Sequence, residues 1–238
     1  MVDLSVVIPA HNEERRIGGT LRRVTEYLLK QPYSAEIVVV DDVSKDGTSQ
    51  AVQPFTGGQP PVILIRREGR NGKGAAVACG MLSASGKRRL FSDADLSTPI
   101  EESEKLLAAM DEGCDIAIAS RMAPGAQVDR PAIRELYARG FNLLVRVLAL
   151  PGIHDSQCGF KAFTAAATAD LFPRLTITGW AFDAELLFLA LKRGWRVSEV
   201  PVRWIYNSES KMRPIRDTFT MSRDILRVRW QAMRGLYD

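Results

Sequence analysis

Short runs of β-branched and other apolar residues recur along the chain, and each is followed by turn residues and then by a segment of helical spacing. Residues 4–8, 36–40, 62–65 and 115–119 are such runs, with Leu90 and Phe91 as a shorter one between the last two. Runs without polar alternation read as strands buried on both faces. Residues 15–30, 47–52, 74–84 and 99–112 carry helical spacing, and Ser97-Thr98-Pro99 is a natural helix start. This alternation predicts an α/β fold with a mostly parallel central sheet flanked by helices. Ligands of such sheets lie outside the carboxyl ends of the strands.

Beyond about Ser120 the alternation stops. A loop with Pro124, Gly125 and Pro131 leads to an apolar helix at 133–150, a Pro151-Gly152 turn, the run QCGFKAF, a helix at 183–193, a strand at 196–202 and a helical stretch at 214–236. No repeat or linker demands a second domain. The expected organisation is a catalytic domain over 1–213 and a C-terminal helical elaboration over 214–238, either part of the same domain or facing a membrane.

At 238 residues the chain is long enough to bury a sizeable core. Its three cysteines, widely spaced, form neither a disulfide framework nor a paired zinc motif. No basic segment followed by a long apolar one opens the chain, and no window approaches the roughly 20 apolar residues of a spanning helix. A cytoplasmic protein, peripheral at the cytoplasmic face of a membrane, is the expectation. The net charge of +4 is unevenly placed: from Arg203 onward eight basic residues face four acidic ones, so the excess sits in the C-terminal segment.

The expected strand ends are polar. They carry Pro9-Ala10-His11-Asn12-Glu13, then Asp41-Asp42 leading to Asp46-Gly47-Thr48, then Arg70-Asn71-Gly72-Lys73-Gly74, then Ser92-Asp93-Ala94-Asp95-Leu96-Ser97. Carboxylates beside a glycine-rich basic loop suggest a nucleotide with its metal. Asp93 and Asp95 would face opposite ways in an extended strand. In a turn both can converge on one hard cation whose ligands a diphosphate completes. An isolated Asp-x-Asp is as readily a turn or helix-cap pair, Glu13 a first-turn helix acid, and the glycines a tight turn. The loop is not a Walker A motif, because two residues rather than four separate its glycines and Gly74 follows Lys73. The first strand also lacks the G-x-G-x-x-G of a dinucleotide fold.

Together, SVVIPAHNEE, VVVDDVSKDGT, RNGKGAAV, FSDADLSTP, ASR at 119–121, DSQCGFKAF, GWAFDAELLFLA and VPVRW followed by Ser210-Lys211 run in order over nearly the whole chain. This set resembles the family-two inverting GT-A glycosyltransferases, above all the polyprenyl- or dolichyl-phosphate β-glucosyltransferase and mannosyltransferase group. The resemblance implies a GT-A (nucleotide-diphospho-sugar transferase) fold. Pro9, His11, Glu13, Val40 and Asp42 would hold base and ribose, and Asp93, Ala94 and Asp95 the sugar diphosphate with Mg2+ or Mn2+. Lys73, Arg121 and Lys211 would add phosphate-binding cations. Ser97 stands where the mannosyltransferases carry Gln, and Ile205 where they carry Arg. The GKG loop and GWAFDAEL look more like the glucosyltransferase branch, so the expected donor is UDP-glucose, with GDP-mannose the alternative.

A polyprenyl phosphate acceptor is already anionic and needs cations rather than a base. Arg121, Arg134 and Arg139 are the candidates for its phosphate, with Arg130 nearby or on a solvated helix face. A hydroxyl acceptor would need a base, for which Asp183 and Glu185 stand at the start of an apolar helix, where an acid is also favoured by the dipole. Arg216, Arg223, Arg227 and Arg234 share one face of the last helix, beside Phe219, Leu226, Trp230 and Met233. Such a helix either lies on an anionic membrane or packs on the core with a solvated basic face. No pattern for nucleic acid appears. A nucleotide-sugar-binding protein without turnover is the alternative outside enzymes, and intact Asp42, Asp93 and Asp95 speak against it.

Overall fold

The computed structural model describes residues 2–69, 72–129, 140, 142, 145–146, 150–207 and 214–237, with the backbone alone at 214–219. In chain order the elements are β1 (Leu4–Ala10), α1 (Ile17–Leu28), β2 (Ala35–Asp41), α2 (Thr48–Val52), β3 (Val62–Arg66), α3 (Lys73–Ser83), β4 (Arg88–Ser92) and α4 (Ser103–Asp111). There follow β5 (Ile116–Ser120), β6 (Gln127–Asp129), β7 (Phe160–Thr164), α5 (Ala165–Leu171), α6 (Phe182–Lys192), β8 (Val197–Pro201), β9 (Arg203–Ile205) and α7 (Pro214–Met233).

A seven-stranded sheet runs in the order β3-β2-β1-β4-β7-β5-β8. Its strands are parallel except β7, which is antiparallel to both β4 and β5. Val7 lies between Val38 and Phe91, so apolar side chains stack across the sheet in register. Alternate residues feed two cores. Val7, Val38, Val40, Phe91 and Phe163 pack under α3, α5, α6 and α7. Val6, Ile8, Ile37, Val39 and Phe160 pack under α1 and α4. Fully burying such a side chain contributes about 1.5–3 kcal/mol, so this double-sided burial sets the register of the parallel strands.

The strand and helix expectations for the first 120 residues hold to within about two residues, except that a 3-10 turn at Ile100–Glu102 opens the helix expected from 99 and α4 itself begins at Ser103; one difference lies in burial. β3 is an edge strand, and Ile63 is exposed. The sequence QCGFKAF carries an unforeseen central strand, β7, whose antiparallel insertion brings Gly159 beside the end of β4. The apolar helix expected at 133–150 falls almost entirely outside the described residues; Val145 and Leu150, which are described, are buried. α7 ends at Met233, and Met221, Ile225 and Val228 bury its inner face in the α3–α6 core.

Gly80 lies where α3 crosses the sheet. A Cβ there would come within 2.4 Å of Val7 Cγ1 and 2.8 Å of Val40 Cγ2. Overpacking of stiff β-branched neighbours costs about 1–3 kcal/mol, against the roughly 1 kcal/mol that Ala gains over Gly in a helix. Gly80→Ala is expected to cost up to about 2 kcal/mol of net stability, read as a lower urea midpoint at unchanged slope.

Candidate active site

The carboxyl ends of β1, β2 and β4 open into one cavity of about 420 Å³, walled by Pro9, His11, Glu13, Asp42, Lys73, Asp93, Ala94 and Asp95 among others. Eight of the expected donor-site residues therefore share a single space. Val40 does not. It is fully buried, and its side chain packs on α3 at Gly80 because strand alternation turns it away from the edge.

Asp42 organises the first half of the site. Its backbone N–H donates to the Ala10 carbonyl at 2.8 Å, joining the ends of β1 and β2. Its carboxylate accepts from Arg67 and, at 2.7 Å, from the backbone N–H of Gly72. His11 Nδ1–H donates to the Asp42 carbonyl at 2.7 Å. Glu13 receives Arg16 at 2.5 Å, and its N–H donates to Thr48 Oγ1. The carboxylate of Asp42 is thus first a brace for the glycine loop, with lone pairs to spare for a ligand.

After β4 the chain turns sharply, and Leu96 takes a positive φ of 48°. Ser97 N–H donates to Asp95 Oδ1 at 2.9 Å, and the Ala94 carbonyl accepts from Thr20 Oγ1 at 2.6 Å. This turn sets Asp93 and Asp95 against the same cavity despite their alternation. β7 closes the other side: Asp93 N–H donates to the Gly159 carbonyl at 3.1 Å, and a Cβ at Gly159 would lie 2.0 Å from Asp93 Oδ2. A side chain at 159 would push the Asp93 carboxylate out of this position.

Lys73, the first residue of α3, places Nζ 2.6 Å from Asp93 Oδ1 and 5.1 Å from the centre of the Trp180 ring. Burial alone would favour its neutral form, but Asp93, Asp183 and Asp95 outweigh this and hold it charged. Burial, followed by the like charge of Asp93, pushes the Asp95 carboxyl above its ordinary range. Two hard oxygen donors with surplus negative charge suit a hard divalent cation. No group of three or more His, Cys, Asp or Glu is arranged for a metal among the described residues, so a ligand would complete the shell.

Arg121 does not wall the cavity. It grips Asp155 through Nε at 2.7 Å and Nη2 at 2.8 Å, with its guanidinium carbon 5.5 Å from the centre of the Trp204 ring. Asp93 still contributes to keeping it charged. Arg134, Arg139 and Lys211 lie outside the described residues, as does Arg130. Neither expected base faces the cavity. Asp183 is buried against Lys161 Nζ at 2.5 Å, and burial pushes its carboxyl upward. Glu185 is fully buried and accepts from the N–H groups of Thr176 and Ile177. Apolar packing of α6 on both sides takes these acids inside.

Sequence reasoning missed Arg67, Asp155, Gly159 and Trp180. The last three sit in the quoted runs DSQCGFKAF and GWAFDAELLFLA; Arg67 left no local signal. Asp155 is fully buried, and Arg121, overcoming the cost of burial, holds its carboxyl down at about 2 against an ordinary 3.8. A lowered acid contributes stability above its unfolded value and loses it as pH falls through the folded one. Asp155→Asn is therefore expected to cost about 3 kcal/mol near neutrality. Thermal melts of the two proteins should converge as pH falls from about 4 toward 2.

With the geometry in place, comparison with known proteins gives the lineage. Residues 5–172 match Glycosyl transferase family 2. The dolichyl-phosphate beta-glucosyltransferase of Dictyostelium discoideum is 34% identical over 98% of this chain and 76% of its own. The human enzyme of that name is 34% identical over 98% and 77%, and the Saccharomyces cerevisiae one 35% over 98% and 76%. Glucosyl-3-phosphoglycerate synthase from Mycobacterium tuberculosis, crystallised with Mg2+ and UDP, superposes with a TM-score of 0.71 at 21% identity, over 95% of this chain and 78% of that one. This neighbour shows the fold, a GT-A-like mostly parallel sheet between helices. By its ordered strand-end motifs, its sheet and its relatives, the chain belongs to glycosyl transferase family 2.

Proposed function

We propose that the protein transfers glucose from UDP-glucose to a polyprenyl phosphate in a single inverting displacement. The observation that carries this is the 34–35% identity to dolichyl-phosphate beta-glucosyltransferases over 95–98% of the chain. Site chemistry supports it. Asp183 and Glu185 are engaged in buried contacts, and a lipid phosphate brings its own negative oxygen, so it asks for orientation and counter-charge rather than a base. In this reading His11, Glu13 and Asp42 receive the uridine. Asp93 and Asp95 hold Mg2+ or Mn2+, which when bound neutralises the departing diphosphate. Lys73 adds a fixed positive charge there. In the same reading Arg121, held in one orientation by Asp155 and Trp204, is a cation for the acceptor phosphate together with Arg134 and Arg139, and Lys211 serves the donor.

No helix among the described residues is long and apolar enough to cross a membrane. The outer face of α7 and the turn after it nevertheless expose Leu226 at 55%, Trp230 at 48%, Met233 at 79% and Leu236 at 61%. Arg223, Arg227, Arg229 and Arg234 are exposed around them. The described part of the helix thus combines both earlier readings, a packed inner face and a basic apolar outer one. We read the outer face as lying on an anionic membrane surface, where the acceptor resides.

Purified protein given labelled UDP-glucose or GDP-mannose with undecaprenyl phosphate and Mn2+ is expected to move label into the lipid phase from UDP-glucose. Transfer from GDP-mannose instead would reassign the donor, and transfer from neither would refute the lipid-phosphate acceptor. Asp95→Asn should lower the metal-dependent rate by at least roughly a hundredfold with an unchanged melting temperature. Replacing Leu226, Trp230 and Met233 together by Ser should abolish flotation with vesicles containing anionic lipid while leaving UDP binding intact. Undiminished flotation would remove α7 from the membrane contact.

A further inference from the structure

Glu185 was expected near the chemistry and is instead wholly buried, which raises the question of what a buried carboxylate does there. It is saturated by hydrogen bonds. Thr176 N–H donates to Oε2 at 3.0 Å, Thr176 Oγ1 to Oε1 at 2.6 Å, and Ile177 N–H to Oε2 at 2.8 Å. The fourth donor comes from beyond α7: the Tyr237 hydroxyl, 2.6 Å from Oε1. Gln231 Oε1 of α7 lies 2.7 Å from the same hydroxyl oxygen and 3.2 Å from Thr176 Oγ1; each hydroxyl has one proton, so with both protons given to Glu185 the amide meets them through its NH2 group, in the orientation that exchanges its O and N. Tyr237 is 2% exposed and its ring lies 6.1 Å from that of Phe188. Burial, and then the adjacent Glu185, hold its hydroxyl protonated.

The segment so gripped leads directly into the wall of the donor cavity. Just past Ile177, the Thr178 carbonyl accepts the N–H groups of Gly74 at 2.8 Å and Ala75 at 3.3 Å. It thereby caps the start of α3, which has no side-chain cap of its own. A Cβ on Gly72 would fall 2.4 Å from that carbonyl, and one on Gly74 2.9 Å from the Ile177 carbonyl, so backbone meets backbone with no slack. Gly179 and Trp180 then line the cavity itself, Trp180 against Lys73. Hydrogen bonds run from Tyr237 through Glu185 to Thr176 and Ile177, with Gln231 beside them, and one peptide further on from Gly74 and Ala75, the two residues after Lys73, to the Thr178 carbonyl.

We infer that Glu185, Gln231 and Tyr237 are positioning residues for the nucleotide-sugar site: they clasp residues 176–178 so that α7 fixes the start of α3, Lys73 and Trp180. α7 is then a structural part of the donor site as well as an outward-facing surface. The inference rests on reading the cavity as a nucleotide-sugar site, and its test separates the two. Tyr237→Phe keeps the ring and removes the hydroxyl, and Gln231→Met removes the amide. Val228→Ala loosens the inner face of α7 without touching the clasp.

UDP binding is measured by calorimetry with Mn2+, and exchange of the Gly74, Thr176 and Ile177 amides by hydrogen–deuterium exchange. Tyr237→Phe and Gln231→Met are expected to weaken UDP roughly threefold to tenfold and to speed those amides. The donor KM should rise while kcat at saturating donor stays near the parent value. Val228→Ala should lower the melting temperature and leave UDP affinity and these amides unchanged. Parent-like affinity and exchange in Tyr237→Phe would overturn the inference, as would equal losses in Val228→Ala. Should the unaltered protein fail to bind UDP, the nucleotide reading falls, and the exchange rates alone decide whether the clasp exists.

Discussion

Parallel strands buried on both faces must release their chains at one edge, and the rest of the site follows from that crowding. The ends of β1, β2 and β4 bring Glu13, Asp42, Asp93 and Asp95 to a common space. Like charges at such a place are tolerated when each meets a cation or a donor. The structure supplies them from neighbouring loops: Arg16 for Glu13, Arg67 for Asp42, Lys73 for Asp93. Behind them, Arg121 with Asp155 and Lys161 with Asp183 repeat the pairing in the interior. Cation and anion come from different segments in each case except Glu13 with Arg16, so pairing the charges also ties the loops.

This explains how much was legible in advance. Strands at 4–8, 36–40 and 115–119 announced themselves because burial on both faces leaves unbroken apolar runs. Asp93 and Asp95 were legible because the turn that gathers them is local. β7 was not, since Lys161 interrupts its apolar run, and its ammonium is satisfied by Asp183 and the Cys158 carbonyl, contacts that exist only in the folded protein. Glu185 and Asp183 read as first-turn helix acids, which they are. Their partners Thr176, Tyr237 and Lys161 lie 9, 52 and 22 residues away, beyond the reach of any spacing argument. Val40 was implied by the resemblance alone, and strand alternation turns its side chain under α3 at Gly80.

α7 shows how one helix can serve two neighbours. Met221, Ile225 and Val228 seat it on the core, and the residues a turn away remain in solvent. Amphipathic spacing predicts two faces but is silent about which one the core takes. Burial of Met221, Ile225 and Val228 decides it, and Gln231 meets Thr176 and Tyr237 from that same face.

The antiparallel insertion of β7 bears on how the chain reaches this state. β4 is flanked by β1, which precedes it, and by β7, which is made only after the whole of α4, β5 and β6. Until then β4 presents an open edge with Leu90 and Phe91 at its centre, an invitation to mispairing. The Gly159 carbonyl that orders Asp93 is also missing. The first hundred residues contain most of the cavity-lining groups, yet they cannot close the pocket by themselves. Sheet closure across β4 and β7 is a contact of long sequence separation, which places it among the slow events of folding. Assembly of the site is thereby delayed until the second half of the chain has arrived.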